Sequence, residues 1–360
     1  MEWPEHGGQP ESVRQQLAPA AETVYDFSAN LNPLGPPAWL HSAVHAELSS
    51  INVYPEPSYE AARQALAEMM GVKLEEVLLT NGGAEAIFLA ARLFAGGSAL
   101  IVQPTFSEYE QACRHYGVGV RHINMKEFDS WSLPLTEIRA HIIETDVVFL
   151  CRPNNPTGTL AAQSEMMELL IAAEASETTV VVDEAFIDFL SESDSLVSWI
   201  YTHPSLIVLR SLTKVFTVPG LRIGGVAAAP VMIEKLAAGQ MPWSVNALAS
   251  KITPALCADE AFLGRTKAWL QAELPRMKRE LEALHFNVSP SVVNFYLLQD
   301  KLAPQGTDEL LTFLFQSGIA ARHTHTFPGL NGSHIRFALR SLEENDELLR
   351  VLHAWRRKQC

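Results

Sequence analysis

The stretch TVVVDEAFIDF, residues 179–189, and the stretch SLIVLRSLTKVFTVPGLRIGGV, residues 205–226, decide the architecture. Each opens on a run of apolar, largely β-branched residues without polar alternation, the pattern of a strand covered on both faces. The same pattern recurs upstream, followed each time by an amphipathic stretch: VLLT before GGAEAIFLAARLF, ALIVQ before SEYEQACRHYG, DVVFLC before AAQSEMMELLIAAEA. IGGVAAA closes the series. Strands alternating with helices in this way predict βαβ units, hence an α/β fold whose mostly parallel central sheet is sandwiched by helices.

Outside this block the pattern changes. The first 50 or so residues are rich in turn formers (HGGQP, NLNPLGPP), and beyond about 245 long helical patterns enclose a few strand-like runs, NFYLL and HIRFAL. Neither end has enough periodic apolar sequence for a core of its own. The expected division is 1–48 as an N-terminal arm and part of a small domain, 49–245 as the large domain, and 246–360 as the C-terminal small α+β domain.

With 41 acidic and 27 basic residues among 360, the net charge is −14. That is the wrong sign for tracking a phosphate backbone, so nucleic acid is not an expected partner, and an anionic ligand must meet a local cluster of positive charge. Cys113, Cys151, Cys257 and Cys360 form no CxxC pair and no Cys/His metal spacing. A reduced, cytoplasmic protein without a metal site is the expectation. No apolar run reaches membrane-spanning length, and MEWPEHGGQPESVRQQ does not read as a secretory leader.

Four segments carry chemistry. In VLLTNGGAEAIFLAARLF a strand runs through Asn81-Gly82-Gly83 into a helix, where free backbone N–H groups and the helix dipole suit a phosphate, although a plain strand-to-helix turn reads the same. CRPNNPTG, at 151–158, follows an apolar strand and holds two asparagine amides at the carboxyl edge of the sheet, or else forms an Asx-type turn. Asp183 ends the strand TVVVD, where a carboxylate needs a positive or protonated partner, whether a ligand or a structural ion pair. Lys214 follows Ser211 and Thr213, with Arg222 downstream; a desolvated lysine near other cations can form a Schiff base, and the hydroxyls with Arg222 suit a phosphate dianion.

Taken in this order, the four segments resemble the fold-type-I transferases dependent on pyridoxal 5′-phosphate (PLP), in the branch of the histidinol-phosphate aminotransferases, over essentially the whole chain. The resemblance implies that Lys214 is the Schiff-base lysine, that Asp183 pairs with the cofactor's ring nitrogen, and that Asn155 bonds its phenolic oxygen. It implies further that the backbone of Gly83 and Ala84, with Ser211, Thr213 and Arg222, holds the cofactor phosphate, and that Phe106 stacks on the ring. Tyr54, in NVYPEPSY, matches a tyrosine that reaches the neighbouring subunit's cofactor, which implies a homodimer with shared active sites.

One departure separates this chain from the aminotransferases: their pattern has a tyrosine three residues after the strand-end aspartate, where this sequence has Phe186. His6-Gly7-Gly8, DFSANLNPLGPP, MPWSVNALA and TFPGL with IRFALRS are similar to the threonine-phosphate decarboxylases, which make an aminopropanol phosphate for the cobalamin side arm. The resemblance implies a lyase acting on a small phosphorylated amino acid, with His6, Asn32, Arg322, Arg336 and Arg340 as candidates for its two anions. Which arginine takes phosphate and which takes carboxylate is left open, and Arg340 can equally pair with Glu343 or Glu344. A histidinol-phosphate or related aminotransferase is the alternative; a non-catalytic scaffold of the same fold is a third reading, opposed by the intact Lys214 and Asp183.

Overall fold

A computed structural model describes residues 7–8 and 23–359. The central sheet has seven strands: β1 (Val77–Thr80), β2 (Ser98–Gln103), β3 (Gly119–Asn124), β4 (Val147–Cys151), β5 (Thr179–Asp183), β6 (Leu206–Ser211) and β7 (Gly224–Ala228). Their order across the sheet is β1-β7-β6-β5-β4-β2-β3, and only β7 runs against its neighbours. The predicted mostly parallel α/β sheet is thus the one observed.

Both faces of the sheet are buried, and the two-residue period of a strand divides its side chains between two apolar layers. Leu100, Val102, Val148, Leu150, Val180, Val182 and Val208 face one layer, with Met166 and Leu170 of the helix Gln163–Ala175. Ala99, Ile101, Val147, Phe149, Val181, Ile207 and Leu209 face the other, with Ile87 of the helix Gly82–Arg92 and Tyr109 of the helix Glu108–His115.

The same period sorts charges. Asp183 lies on the Tyr109 side, whereas Glu184 turns to the opposite side and joins a buried group of ions: Arg210 meets Asp188 at 2.6 Å and Glu184 at 3.3 Å, and Arg152 lies 3.9 Å from Glu184. Arg210 sits inside the apolar strand β6, so removing either sign from this group leaves an uncompensated buried charge, at a cost of about 3–5 kcal/mol. The group ties together the carboxyl ends of β4, β5 and β6.

A second, antiparallel sheet is formed by β8 (Phe286–Val288), β9 (Phe295–Asp300), β10 (Arg322–His323) and β11 (Ile335–Ala338), in the order β10-β11-β9-β8. The segment near the amino end joins it: Tyr25–Asp26 pairs in parallel with Ile319–Ala320, and the Phe27 carbonyl accepts from the Ala338 N–H at 2.8 Å.

Candidate active site

The carboxyl ends of β1, β2, β4, β5 and β6 lie along one edge of the central sheet, where open α/β sheets collect ligands. Because β7 is reversed, its beginning lies at that edge too: Gly224 pairs with Thr80 and with Ser211. The loop before it therefore brings Arg222 to the start of the helix Gly82–Arg92. A cavity of about 270 Å³ opens beside this edge. Asn155, Asp183, Lys214 and Phe106 line it from the sheet, Arg322 and Arg336 from the small sheet, and Ser28 and Asn30 from the N-terminal segment.

The Asp183 carboxylate is held by two neutral donors, the Tyr109 hydroxyl at 2.7 Å on Oδ2 and the Ala185 N–H at 3.0 Å on Oδ1. Among the described residues it forms no salt bridge, and burial pushes its carboxyl up to about 6 against the pull of those hydrogen bonds and of the Lys214 charge. Lys214 is pushed down to about 8, first by desolvation and then by the cations Arg336 and Arg222. Its amine is thus far closer to neutral at physiological pH than an ordinary lysine.

Asn155 is oriented by Arg336, whose Nη1 donates to Asn155 Oδ1 at 2.6 Å. That leaves the amide nitrogen as the donor available to a ligand. Asn154 is committed to the protein, donating to the Pro104 carbonyl and the Thr157 hydroxyl. Arg336 also donates to the Ser28 carbonyl at 2.7 Å, and its buried Nε has no hydrogen-bond partner among the described residues. Burial and the neighbouring Arg322 lower its guanidinium to about 9. Arg322 donates to the Thr326 hydroxyl at 2.8 Å and lies over the Phe327 ring. Two buried guanidinium groups lining one cavity suit an anion.

Gly82, at φ +73°, opens the helix Gly82–Arg92, and a Cβ there would stand 2.7 Å from Arg222 Nη2. A Cβ on Gly224 would meet the backbone of Gly82 at 2.8 Å. The helix start therefore carries no side chain of its own at Gly82 and Gly83, with the Arg222 guanidinium packed against the first and the Ser211 side chain facing the second. The Thr213 hydroxyl donates to the Ile223 carbonyl at 3.4 Å, tying the Lys214 turn to the Arg222 loop.

Other candidates are engaged within the protein or lie away from this cavity. Asn32 is structural: its amide donates to the Val215 carbonyl at 2.8 Å and Thr266 Oγ1 at 2.7 Å, and its oxygen accepts from the Leu34 N–H. Asn30, two residues earlier, lines the cavity with a buried, unpartnered Oδ1. Arg340 pairs with Glu344 at 2.9 Å, outside the cavity lining. Tyr54, expected at a neighbouring subunit's cofactor, lies outside this chain's own cavity; 79% exposed, it packs on Trp243 with ring centres 4.8 Å apart. His6 lies outside the described residues, although Gly7 lines the cavity. Phe186 lines the cavity wall and packs edge-on against Phe295 at 4.7 Å, so the position is apolar. Sequence reasoning missed Glu108, which also lines the cavity; as a helix-start acid next to Phe106 it carried only a capping signal.

The model of the family described as aminotransferase class I and II matches residues 22–352. The chain belongs to that family. It is 34% identical to the threonine-phosphate decarboxylase of Salmonella typhimurium over 96% of this chain and 95% of that one. Among solved structures it is similar to L-threonine-O-3-phosphate decarboxylase from Porphyromonas gingivalis, with a TM-score of 0.82 and 29% identity over 91% of this chain and 98% of the other. It is similar also to histidinol-phosphate aminotransferase from Clostridium acetobutylicum, with a TM-score of 0.86 and 29% identity over 92% and 99%.

The cofactor of this aminotransferase-family chain is PLP, and the described residues fit it. The glycine-opened helix start with Arg222 and Ser211 suits a phosphate, Asp183 without a salt bridge suits a protonated ring nitrogen, the Asn155 amide suits a phenolic oxygen, and Lys214 is depressed toward the neutral amine that attacks a carbonyl. No metal-binding cluster and no helix long and apolar enough to cross a membrane occur among the described residues.

Proposed function

We propose that this enzyme decarboxylates L-threonine O-3-phosphate to (R)-1-amino-2-propanol O-2-phosphate, the side-arm precursor of cobalamin. The observation that carries the reading is the second anion site: Arg322 and Arg336 face the same cavity as Lys214, separate from the helix start that suits the cofactor phosphate. A substrate with both a phosphate and a carboxylate matches that charge. The likeness to threonine-phosphate decarboxylases along nearly the whole chain supports loss of carbon dioxide over amino transfer.

When bound, PLP supplies a carbonyl that takes the substrate amine and a ring that withdraws the electron pair left at Cα. The protein's part is geometric and protonic. Arg322, Arg336 and Asn30 hold the two anions and so set which Cα bond stands perpendicular to the ring: carboxylate for a decarboxylase, hydrogen for an aminotransferase. Asn155 and Asp183 hold two edges of the ring system. Lys214, as the ammonium and lowered toward neutrality so that it gives its proton up readily, would donate that proton from Nζ to Cα in place of the departed carboxylate; the electron pair of the broken bond becomes the new C–H bond and Nζ is left as the neutral amine.

The active unit in this reading is a homodimer. Tyr54 packs on Trp243, and Val53, Ile51 and Met241, within three residues of one or the other in the chain, are likewise exposed apolar residues, a surface of the kind a second copy covers. A cytoplasmic location accords with three buried free thiols at Cys113, Cys151 and Cys257.

The test is incubation of the PLP-loaded protein with O-phospho-L-threonine and no amino acceptor. Carbon dioxide and aminopropanol phosphate in equal amounts are expected. The second reading, favoured by the likeness to a histidinol-phosphate aminotransferase, predicts turnover only with 2-oxoglutarate and glutamate formed in step; that result refutes the decarboxylase.

A further inference from the structure

Tyr109 is fully buried beneath the cavity, on the helix Glu108–His115, three residues past Phe106. Its ring stacks on Phe149 of β4, with centres 5.8 Å apart and planes 15° apart, and meets Phe106 edge-on at 6.0 Å. Held between these two rings, the phenol has little freedom to turn, and its hydroxyl donates to Asp183 Oδ2 at 2.7 Å. Burial and the adjacent carboxylate raise the phenol's own pKa well above the ordinary value, so the group stays a donor at any working pH.

We propose that Tyr109 is a positioning residue for the cofactor's ring nitrogen: its hydrogen bond pins the Asp183 carboxylate and keeps it ionised, so that the carboxylate accepts from the protonated nitrogen. The proposal rests on PLP being the cofactor. Its physical basis is the imbalance at Asp183. The carboxylate is buried and forms no salt bridge among the described residues; the protein stabilises its charge with one side-chain donor, one backbone N–H and, without direct contact, the Lys214 ammonium. Desolvation already drives the group toward its neutral form. A neutral Asp183 would bring its own proton toward a ring nitrogen that is itself protonated, and the pair would be lost. Tyr109 also links Asp183 to Phe106, so one side chain ties the group facing the ring nitrogen to the aromatic wall of the cavity.

The test compares apo wild type with Tyr109→Phe, measuring dissociation constants by fluorescence titration for PLP and for its 1-deaza analogue, in which a carbon replaces the ring nitrogen. A hydrogen bond to a buried charge is worth about ten- to hundredfold in affinity. The variant is expected to lose that much for PLP and to bind the analogue as wild type does. In an Asp183→Asn background, adding Tyr109→Phe is expected to change PLP affinity by less than about threefold, because the coupled charge is gone. If the phenylalanine variant does not fold, Tyr109→3-fluorotyrosine, a stronger donor of nearly equal size, is expected to tighten PLP and leave the analogue unchanged. Equal losses for both ligands would show a purely structural role and overturn the proposal, as would an unchanged PLP affinity in the phenylalanine variant. Wild type binding neither ligand would overturn the cofactor reading itself, a result distinct from either of those.

Discussion

Replacing Lys214 by methionine tests the electrostatics of the cavity without reference to turnover. The lysine is lowered from 10.5 to about 8 by desolvation and by the cations Arg336 and Arg222. The difference of about 2.5 pH units corresponds to about 3 kcal/mol by which the folded state disfavours the charged form, at 1.36 kcal/mol per unit. The sign follows from proton uptake. Between about 8 and 10.5 the unfolded chain holds a proton on this lysine that the folded chain does not, so stability of the apo protein rises with pH across that window and falls as pH drops back through about 8. Methionine fills similar volume and carries no charge. The variant is therefore expected to be more stable than wild type at pH 7, by up to about 3 kcal/mol, with the advantage shrinking toward pH 10.5. Urea unfolding of both apo proteins at pH 7, 8.5 and 10 measures it, and the difference between the two cancels the other groups that titrate there. A difference that does not vary with pH, or a wild type more stable at pH 7, would refute the reasoning.

Gly82→Ala forces a side chain into a position at φ +73°, 2.7 Å from Arg222 Nη2; PLP affinity of the apo protein should drop at least about tenfold, with about 1–3 kcal/mol of backbone strain seen in thermal unfolding. Asn30→Ala and Asn32→Ala should part company: the first raises KM for O-phosphothreonine with little change in Tm, while the second leaves buried partners unsatisfied and costs about 1–3 kcal/mol of stability. Arg210→Met should destabilise by about 3–5 kcal/mol in denaturant titration, because Asp188 is left buried without its cation and Glu184 keeps only Arg152, at 3.9 Å. Trp243→Asp, beside Tyr54, should shift the sedimentation coefficient from dimer to monomer at micromolar concentration; an unchanged value places the subunit contact elsewhere.

Much of the candidate site was legible because it is written locally. Asp183, Asn155, Lys214 and Arg222 each follow or precede an apolar strand within a few residues, and a parallel sheet puts strand ends at one edge whatever the order of its strands. Asn30 and Asn32 were not separable on that basis. Both lie in FSANLNP, and which one faces the cavity depends on how Tyr25–Asp26 docks against Ile319–Ala320, nearly the whole chain away. Arg340 was ambiguous for a similar reason: Glu344, one helical turn on, is a local partner that no distant ligand displaces. Tyr109 gave no signal at all, since a tyrosine on the apolar face of a helix reads as core, and its partner Asp183 lies 74 residues further along the chain.

The sequence by itself determined the layers and the chemistry at their edge. Unbroken apolar strands require cover on both faces, and a two-residue period sends Asp183 to one side and Glu184 to the other. Tertiary structure alone decided which side was which: Asp183 toward Tyr109 and the cavity, Glu184 toward Arg210 and Arg152. The same holds for the arginines. Their number was plain, but that Arg336 would be buried beside Arg322 without a carboxylate partner, while Arg340 and Arg210 found one, follows from packing. A charge declares its sign in the sequence; whether it is satisfied depends on contacts that exist only once the chain has closed.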